Sequence, residues 1–223
     1  MIKTVVEQIR IELRRRVLVG TWGLGQRLYE EEIAHDLDVS RSAVREAVRL
    51  VEQEGLLVRA PHRGLFVASP SARDITEVAQ LRAVLESSAV FWGNPPDDAT
   101  IAEMERICAR FDEIGDRDHM EAVNLDRAFH GLIAQSTTNR LLLRKHQELD
   151  GHIAIFFHWV TAHVPGRLDD IGLRHHALLD AYARGDSTLF RDAVLLHYEG
   201  AAVELARHLP EADQAARREA QAI

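Results

Sequence analysis

The chain has 223 residues and lacks both cysteine pairs and long apolar runs. Cys108 is its only cysteine, so no disulfide can form within one chain, which is typical of the reducing cytoplasm. No segment approaches the roughly 20 apolar residues that a membrane-spanning helix needs. The charged, amphipathic start is also unlike a secretory signal. These absences argue against a disulfide-rich secreted domain and a membrane protein, and predict a cytoplasmic protein.

Several signatures of enzymes are missing as well. The sequence has no Gly-rich phosphate-binding loop, no His-Glu-x-x-His and no Cys-x-x-Cys. No obvious additional base stands beside the candidate metal ligands described below. The sequence therefore favours a binding protein, and a metal-dependent hydrolase or oxygenase is the rival from another class.

Charge is unevenly distributed along the chain. The formal net charge is −8, which is unusual for a protein that binds nucleic acid. Residues 1–70 carry 11 Lys/Arg and 10 Asp/Glu, whereas residues 71–223 carry 16 and 25. Because the acidic excess lies outside the first 70 residues, a DNA-binding segment there is compatible with the composition.

Residues 1–70 have the pattern of a winged helix-turn-helix domain. An apolar residue at every fourth position predicts a first helix that ends near Gly20. A short helix is expected over about 30–37, and a third over about 41–54 with Ser40 as its N-cap. Two short strands within 56–68, joined by a Pro/Gly turn, predict a small β-hairpin wing.

The rest of the chain shows only helical periodicity. The boundary is expected at Ser69-Pro70-Ser71, where the pattern breaks. The predicted fold is therefore mainly α: a winged helix-turn-helix over 1–70, an all-α six-helix bundle over 71–209, and a polar tail over 210–223 that is expected to be disordered. The six helices are predicted at roughly 71–92, 97–114, 118–135, 139–163, 167–184 and 186–208.

The third helix carries the candidate DNA-reading residues. Arg41 and Arg45 lie one turn apart beside the apolar stripe, where a guanidinium group can reach guanine edges or phosphates. The hydroxyls of Ser40 and Ser42, at the helix N-terminus, suit phosphate oxygens. The alternative is an ordinary surface helix whose arginines pair with glutamates of the same helix.

The tip of the predicted wing supplies a second group of candidate DNA contacts. It contains His62, Arg63 and Gly64. These residues could enter the minor groove or touch the DNA backbone. A turn that contacts only solvent is the alternative.

Both parts of the chain resemble one family of proteins. Residues 25–68 resemble the GntR family of bacterial transcription regulators, in the segments Val39-Ser40-Arg41, Val44-Arg45-Glu46-Ala47, Glu54-Gly55-Leu56 and Gly64-Leu65-Phe66-Val67. Residues 75–200 resemble the effector-binding FCD domain of that family's FadR branch, in Leu81-Arg82-x-x-Leu85-Glu86, Asp126-x-x-Phe129-His130, His175-x-x-Leu178-Leu179-x-Ala181, Gly185-Asp186 and His197. The predicted number of helices in this domain, six in place of seven, is similar to that of the VanR-like subgroup.

The resemblance implies a homodimeric, ligand-responsive regulator, most often a repressor, that binds the palindromic half-sites of a double-stranded operator. The family's DNA-contacting positions correspond here to Arg41, Ser42, Arg45, His62 and Gly64. One departure stands at the start of the second helix, Glu30-Glu31-Glu32, where relatives often place an arginine or serine. A phosphate contact from residues 30–32 is therefore not expected.

Four side chains on three predicted helices form a candidate metal site. Asp126 and His130 are four residues apart on one helix face, so both can bind one ion. His175 and His197 supply two further ligands, and the spacings agree with the metal-binding members of the branch. Three imidazoles and one carboxylate suit Zn²⁺, Ni²⁺, Mn²⁺ or Fe²⁺ without choosing among them.

The same site is expected to bind a small carboxylate effector. Four protein ligands leave positions open on an octahedral ion, and Arg82 is the candidate for the effector's remaining charge. An ion pair between Arg82 and Glu86 is the alternative role. His176 competes with His175 as a ligand, although the helical register favours His175. The remaining histidines, including His146, are assigned structural roles. The sequence is also compatible with an effector pocket that binds no metal, and with a helical unit that serves only as a dimeric scaffold.

Overall fold

The computed structural model describes residues 4–114, 118–163 and 170–207. The chain forms two compact units. The first contains Met1–Ser69 together with Glu148–Trp159, and the second contains Pro70–Gln147 with Val160–Ile223. The predicted tail over 210–223 lies outside the described residues. No helix among the described residues is long and apolar enough to cross a membrane.

The first unit is a winged helix-turn-helix, as predicted. Its elements are α1 (Val5–Leu18), β1 (Arg27–Leu28), α2 (Glu30–Asp36), α3 (Arg41–Gln53), β2 (Leu57–Ala60) and β3 (Gly64–Val67). The strands form an antiparallel sheet in the order β1-β3-β2. Strand β1 was not predicted, because a strand of two residues is too short to show an alternating pattern. Its pairing with β3, which comes much later in the chain, also leaves no local signal in the sequence.

Helix α3 is stabilised by a capping residue at each end and by the burial of one apolar face. The Ser40 hydroxyl accepts a hydrogen bond from the Ala43 backbone N–H at 3.2 Å, which confirms the predicted N-cap. At the other end Gly55 has φ +76°, a left-handed conformation that glycine adopts at little cost. Four fully buried residues form the predicted inner face: Val44, Ala47, Val48 and Val51.

The wing is a tight hairpin. The Arg63 N–H donates to the Ala60 carbonyl oxygen at 3.1 Å, and His62 at the tip has φ +59°. Strands β2 and β3 then pair from Ala60↔Gly64 outward. His62 and Arg63 at the tip are exposed, whereas Leu57, Leu65 and Val67 of the two strands are buried.

The second unit is all helical. Its helices are α4 (Ala72–Trp92), α5 (Asp98–Ile114), α6 (His119–Gln135), α7 (Arg140–His163, shared with the first unit), α8 (Ile171–Ala183) and α9 (Ser187–Arg207). A capping box between Ser71 and Asp74 begins α4, which packs against α6 and α9, while α5 packs against α6 and α8. The six helices found in the described residues agree with the predicted architecture. The core between α4, α6, α8 and α9 is unusual because it contains charged side chains.

Candidate DNA-binding surface and metal centre

The predicted DNA-reading residues lie on the surface of the first unit. Ser40, Arg41, Ser42 and Arg45 are exposed along the N-terminal half of α3. The side chains of Arg41 and Arg45 are 61% and 65% exposed, so both guanidinium groups can reach a ligand in solvent. The helix therefore presents basic groups on the face next to its apolar stripe, as the sequence predicted.

Both arginines also have acidic partners on α2. Arg41 pairs with Glu31, and Arg45 Nε lies 3.1 Å from Glu30 Oε2. The alternative considered from the sequence placed such partners on α3 itself. The partners come instead from the unusual run of three glutamates, because the turn between the helices brings the start of α2 beside α3.

The Glu30 carboxylate pairs with an arginine of α3 and with an arginine of the wing. Its other carboxylate oxygen, Oε1, lies 2.7 Å from Arg59 Nη2 on β2, and Arg59 Nε is 3.4 Å from Glu52 Oε1. Burial alone would raise the pKa of Glu30, but hydrogen bonds from Arg59 and Arg45 outweigh it and lower the pKa. Sequence reasoning missed Arg59, since only strand pairing brings it next to α2.

At the wing tip, His62 and Arg63 are exposed and Gly64 is half-buried. Gly64 has φ +113°, and a Cβ there would lie 3.3 Å from Nε of Arg27. A side chain at this position would be strained and would crowd that guanidinium. The structure thus places an additional arginine, on β1, beside the predicted tip residues.

The four predicted metal ligands meet in the core of the second unit. Asp126 and His130 come from α6, His175 from α8 and His197 from α9. Potential ligand nitrogens of the three histidines all lie within 4.8 Å of one another. Asp126 Oδ1 lies 3.3 Å from His175 Nε2 and 3.7 Å from His130 Nε2. Asp126, His130 and His175 are buried, and His197 is half-buried.

Hydrogen bonds define which imidazole nitrogens are available. His175 Nδ1 lies 2.8 Å from the Ile171 carbonyl oxygen, which can only accept, so Nδ1 carries the proton. In a neutral ring Nε2 then has a lone pair, and it faces the carboxylate of Asp126. Two acceptors at this distance repel unless a proton or a metal ion lies between them. His130 Nε2, His175 Nε2 and His197 Nδ1 are buried without a hydrogen bond to the described residues.

Electrostatics favour the metal-binding forms of these groups. Burial lowers the pKa of both His175 and His197, which favours the neutral form of these two imidazoles. Burial opposes ionisation of Asp126, but His130 and His175 outweigh it and hold the pKa of Asp126 below its usual value. A neutral imidazole and an ionised carboxylate are the species that bind a metal ion.

A second buried cluster adjoins the first. Arg82 and Glu86 on α4 are both fully buried, and Arg82 Nη2 lies 3.5 Å from Glu86 Oε1. His146 Nε2 lies 2.9 Å from that carboxylate oxygen and 3.1 Å from Arg82 Nη2. The Tyr198 hydroxyl donates to the same oxygen at 2.5 Å. The ion pair considered as the alternative role of Arg82 is therefore present in the structure.

Two further histidines, His176 and His146, lie in different surroundings. His176 is exposed and its Nε2 lies 3.0 Å from Asp112 Oδ2, away from the cluster around His175. His146, assigned a structural role from the sequence, is buried beside Arg82 and Glu86. No sequence signal distinguished His146 from the remaining histidines. Glu86 entered the sequence analysis only as the last residue of the Leu81–Glu86 motif and as the alternative ion-pair partner of Arg82.

Comparison with known proteins gives consistent matches for both units. The model of the GntR family of bacterial regulatory proteins matches residues 5–67, and the FCD domain model matches residues 77–200. The uncharacterised HTH-type transcriptional regulator YdhC of Bacillus subtilis (strain 168) is 27% identical over 194 residues, covering 84% of each chain. The gluconate operon transcriptional repressor of Bacillus licheniformis is 28% identical over 139 residues, covering 61% of this chain and 56% of that protein. The crystal structure of a GntR protein from Rhodococcus sp. RHA1 has a TM-score of 0.76 and 25% identity, covering 92% of this chain and 99% of that one.

The winged helix and the separate helical domain define the class of the protein: it is a DNA-binding transcriptional regulator and not an enzyme. The chain belongs to the GntR family, in the branch that carries an FCD domain. Both the family and the mainly α fold predicted from the sequence are thereby confirmed.

Proposed function

We propose that this regulator is a homodimeric repressor whose helical unit binds a divalent transition metal and, with it, a small carboxylate effector. Asp126, His130, His175 and His197 hold the metal. The effector occupies open positions on the metal and reaches Arg82. Because the target is operator DNA with palindromic half-sites, the protein acts in the cytoplasm.

The observation that carries the metal proposal is the 3.3 Å distance between His175 Nε2 and Asp126 Oδ1, in a ring whose other nitrogen is hydrogen-bonded to the Ile171 carbonyl oxygen. A cation between these two acceptors converts repulsion into coordination. The nitrogen atoms of His130 and His197 complete a set of buried donors that lack protein hydrogen bonds. The residues present therefore fit Zn²⁺, Ni²⁺, Mn²⁺ or Fe²⁺. The bound metal would supply a fixed positive charge that polarises and anchors a carboxylate.

The carboxylate proposal is supported by the charges of the second unit's core and by a relative. Arg82 is a buried cation whose charge is shared with Glu86, so an effector carboxylate that reached it would compete with Glu86. The relative from Bacillus licheniformis regulates a gluconate operon, and gluconate is a hydroxycarboxylate that can bind a metal through two oxygens.

DNA contact is proposed for six exposed residues of the first unit and for the half-buried Gly64. They are Ser40, Arg41, Ser42, Arg45, His62, Arg63 and Gly64. Arginines near the start of a recognition helix suit guanine edges in the major groove, and the wing tip suits the adjacent backbone or minor groove. Effector binding would then change the fit of two winged helices to two half-sites.

Elemental analysis of the protein purified without an affinity tag or chelator tests the metal proposal. We expect about one divalent metal per subunit in the wild type and almost none in a His130→Ala/His197→Ala variant. A wild-type protein that binds no Zn²⁺, Ni²⁺, Mn²⁺ or Fe²⁺ would contradict the proposal and indicate a metal-free effector pocket. Gel-shift titrations with gluconate, with and without chelator, then test whether metal and carboxylate act together.

A further inference from the structure

Glu86 is a fully buried carboxylate with polar side chains from three other helices within hydrogen-bonding distance. His130 comes from α6, His146 from α7 and Tyr198 from α9. A buried carboxylate is costly unless it accepts several hydrogen bonds. Helix α4 thus carries an anion at a place where an apolar side chain would normally fill the core, and this placement calls for a function beyond packing.

The geometry around Glu86 determines the tautomer of one candidate ligand. Glu86 Oε2 lies 2.9 Å from His130 Nδ1. A carboxylate oxygen can only accept, so Nδ1 of His130 must carry the proton. In the neutral ring, Nε2 then keeps its lone pair, and this is the nitrogen that lies 3.7 Å from Asp126 Oδ1.

The other neighbours hold the carboxylate in this orientation. Tyr198 donates to Oε1 at 2.5 Å and His146 Nε2 lies 2.9 Å from the same oxygen, which leaves Oε2 directed at His130. Arg82 lies 3.5 Å from Oε1 and offsets the negative charge. The orientation of Glu86 is therefore fixed by groups that are not themselves candidate ligands.

We propose that Glu86 is a positioning residue of the metal centre: it fixes the tautomer and orientation of His130 and so raises the metal affinity of the site. The inference rests on the proposed metal-binding function and extends it to a residue outside the ligand set. A carboxylate behind a ligating imidazole also increases its electron donation to the metal, and loss of such a partner typically weakens metal binding by about 10–100-fold.

The first test measures the tautomer of His130 in metal-free wild-type protein by long-range ¹H–¹⁵N correlation. We expect a protonated Nδ1 and an unprotonated Nε2. The opposite tautomer would overturn the proposal. This measurement needs no variant and no metal, so its result is separate from the fate of the metal proposal.

The second test compares Zn²⁺ affinity in wild type, Glu86→Gln and Glu77→Gln by competition with a chromophoric chelator. Glu77 is a matched control because it lies on the same helix but is exposed and paired with Arg73. We expect Glu86→Gln to weaken Zn²⁺ binding by about 10–100-fold and Glu77→Gln to leave it unchanged.

Co²⁺ binding adds a readout that packing alone would not change. We expect the visible ligand-field spectrum of Co²⁺ in Glu86→Gln to differ from that of the wild type. A folded Glu86→Gln protein with lower thermal stability but wild-type Zn²⁺ affinity and Co²⁺ spectrum would show a purely structural role and overturn the proposal.

If Glu86→Gln does not fold, the tautomer of His130 in the wild type decides whether the proposal stands. If wild type binds no metal, the proposed function fails, whereas the tautomer still tests the contact between Glu86 and His130.

Discussion

Arg45 on the recognition helix is paired with Glu30 at the start of the preceding helix, with 3.1 Å between Nε and Oε2. The same carboxylate is 2.7 Å from Arg59 on the wing strand β2. One acid therefore lies between a basic group of the helix and a basic group of the wing. Because Nε faces Glu30, the two terminal nitrogens of Arg45 can still reach a guanine edge or a phosphate.

Replacing Arg45 should weaken operator binding. Loss of a bidentate guanine contact costs about 1–3 kcal/mol, so Arg45→Ala is expected to raise the Kd by about 5- to 150-fold. Dimerisation should not change, because Arg45 lies off the buried face of α3. A gel-shift titration measures the effect, with Arg73→Ala as a surface control on α4. Unchanged operator affinity would exclude Arg45 from the DNA contact.

Removing the charge of Glu31 should have the opposite effect. Glu31 is 70% exposed and pairs with Arg41, so it competes with phosphate for that guanidinium and repels the DNA backbone. Glu31→Gln is expected to tighten DNA binding a few-fold at low salt, with a smaller gain as ionic strength rises. Affinity measured across a salt series checks this. Weaker binding would mean that the Glu31–Arg41 pair positions Arg41 for DNA.

His175 and His176 form a matched pair for testing the ligand set. His175 is buried beside Asp126, whereas His176 is exposed and pairs with Asp112. His175→Ala should abolish metal retention and the effector response, and so should the double variant with His197→Ala. His176→Ala should retain wild-type metal content. Metal analysis after dialysis distinguishes them, and metal loss only in His176→Ala would show that the neighbouring histidine is the ligand.

Replacing glycine by alanine is expected to lower the stability of the protein at Gly93 and to raise it at Gly200. A Cβ at Gly93 would lie 2.3 Å from the Ala89 carbonyl oxygen and 2.5 Å from that of Ser136, and backbone cannot move aside easily. Gly93→Ala should therefore destabilise the protein by about 1–3 kcal/mol. Gly200, within α9, has open space, so Gly200→Ala should stabilise by up to about 1 kcal/mol. Thermal denaturation measures both; equal melting temperatures would contradict the predicted crowding at Gly93.

The candidate site was only partly predictable. Asp126 and His130 share a helix face by their spacing of four, which the sequence shows directly. His175 and His197 were assigned with them through family resemblance, since no local pattern links residues on different helices. His146 had no distinguishing signal at all. Its position beside Arg82 depends on the packing of α7 in the core of the second unit.

The sequence by itself determined the helices, the cap at Ser40 and the inward face of α3, because these depend on the spacing of neighbouring residues. It also determined the division between a nearly neutral N-terminal part and an acidic remainder. Only the tertiary structure decided the partners of charged groups, such as Glu30 between Arg45 and Arg59, and Glu86 behind His130. Hydrogen bonds and ion pairs act over a few ångströms, and residues distant in sequence reach that range only after the helices and strands have packed.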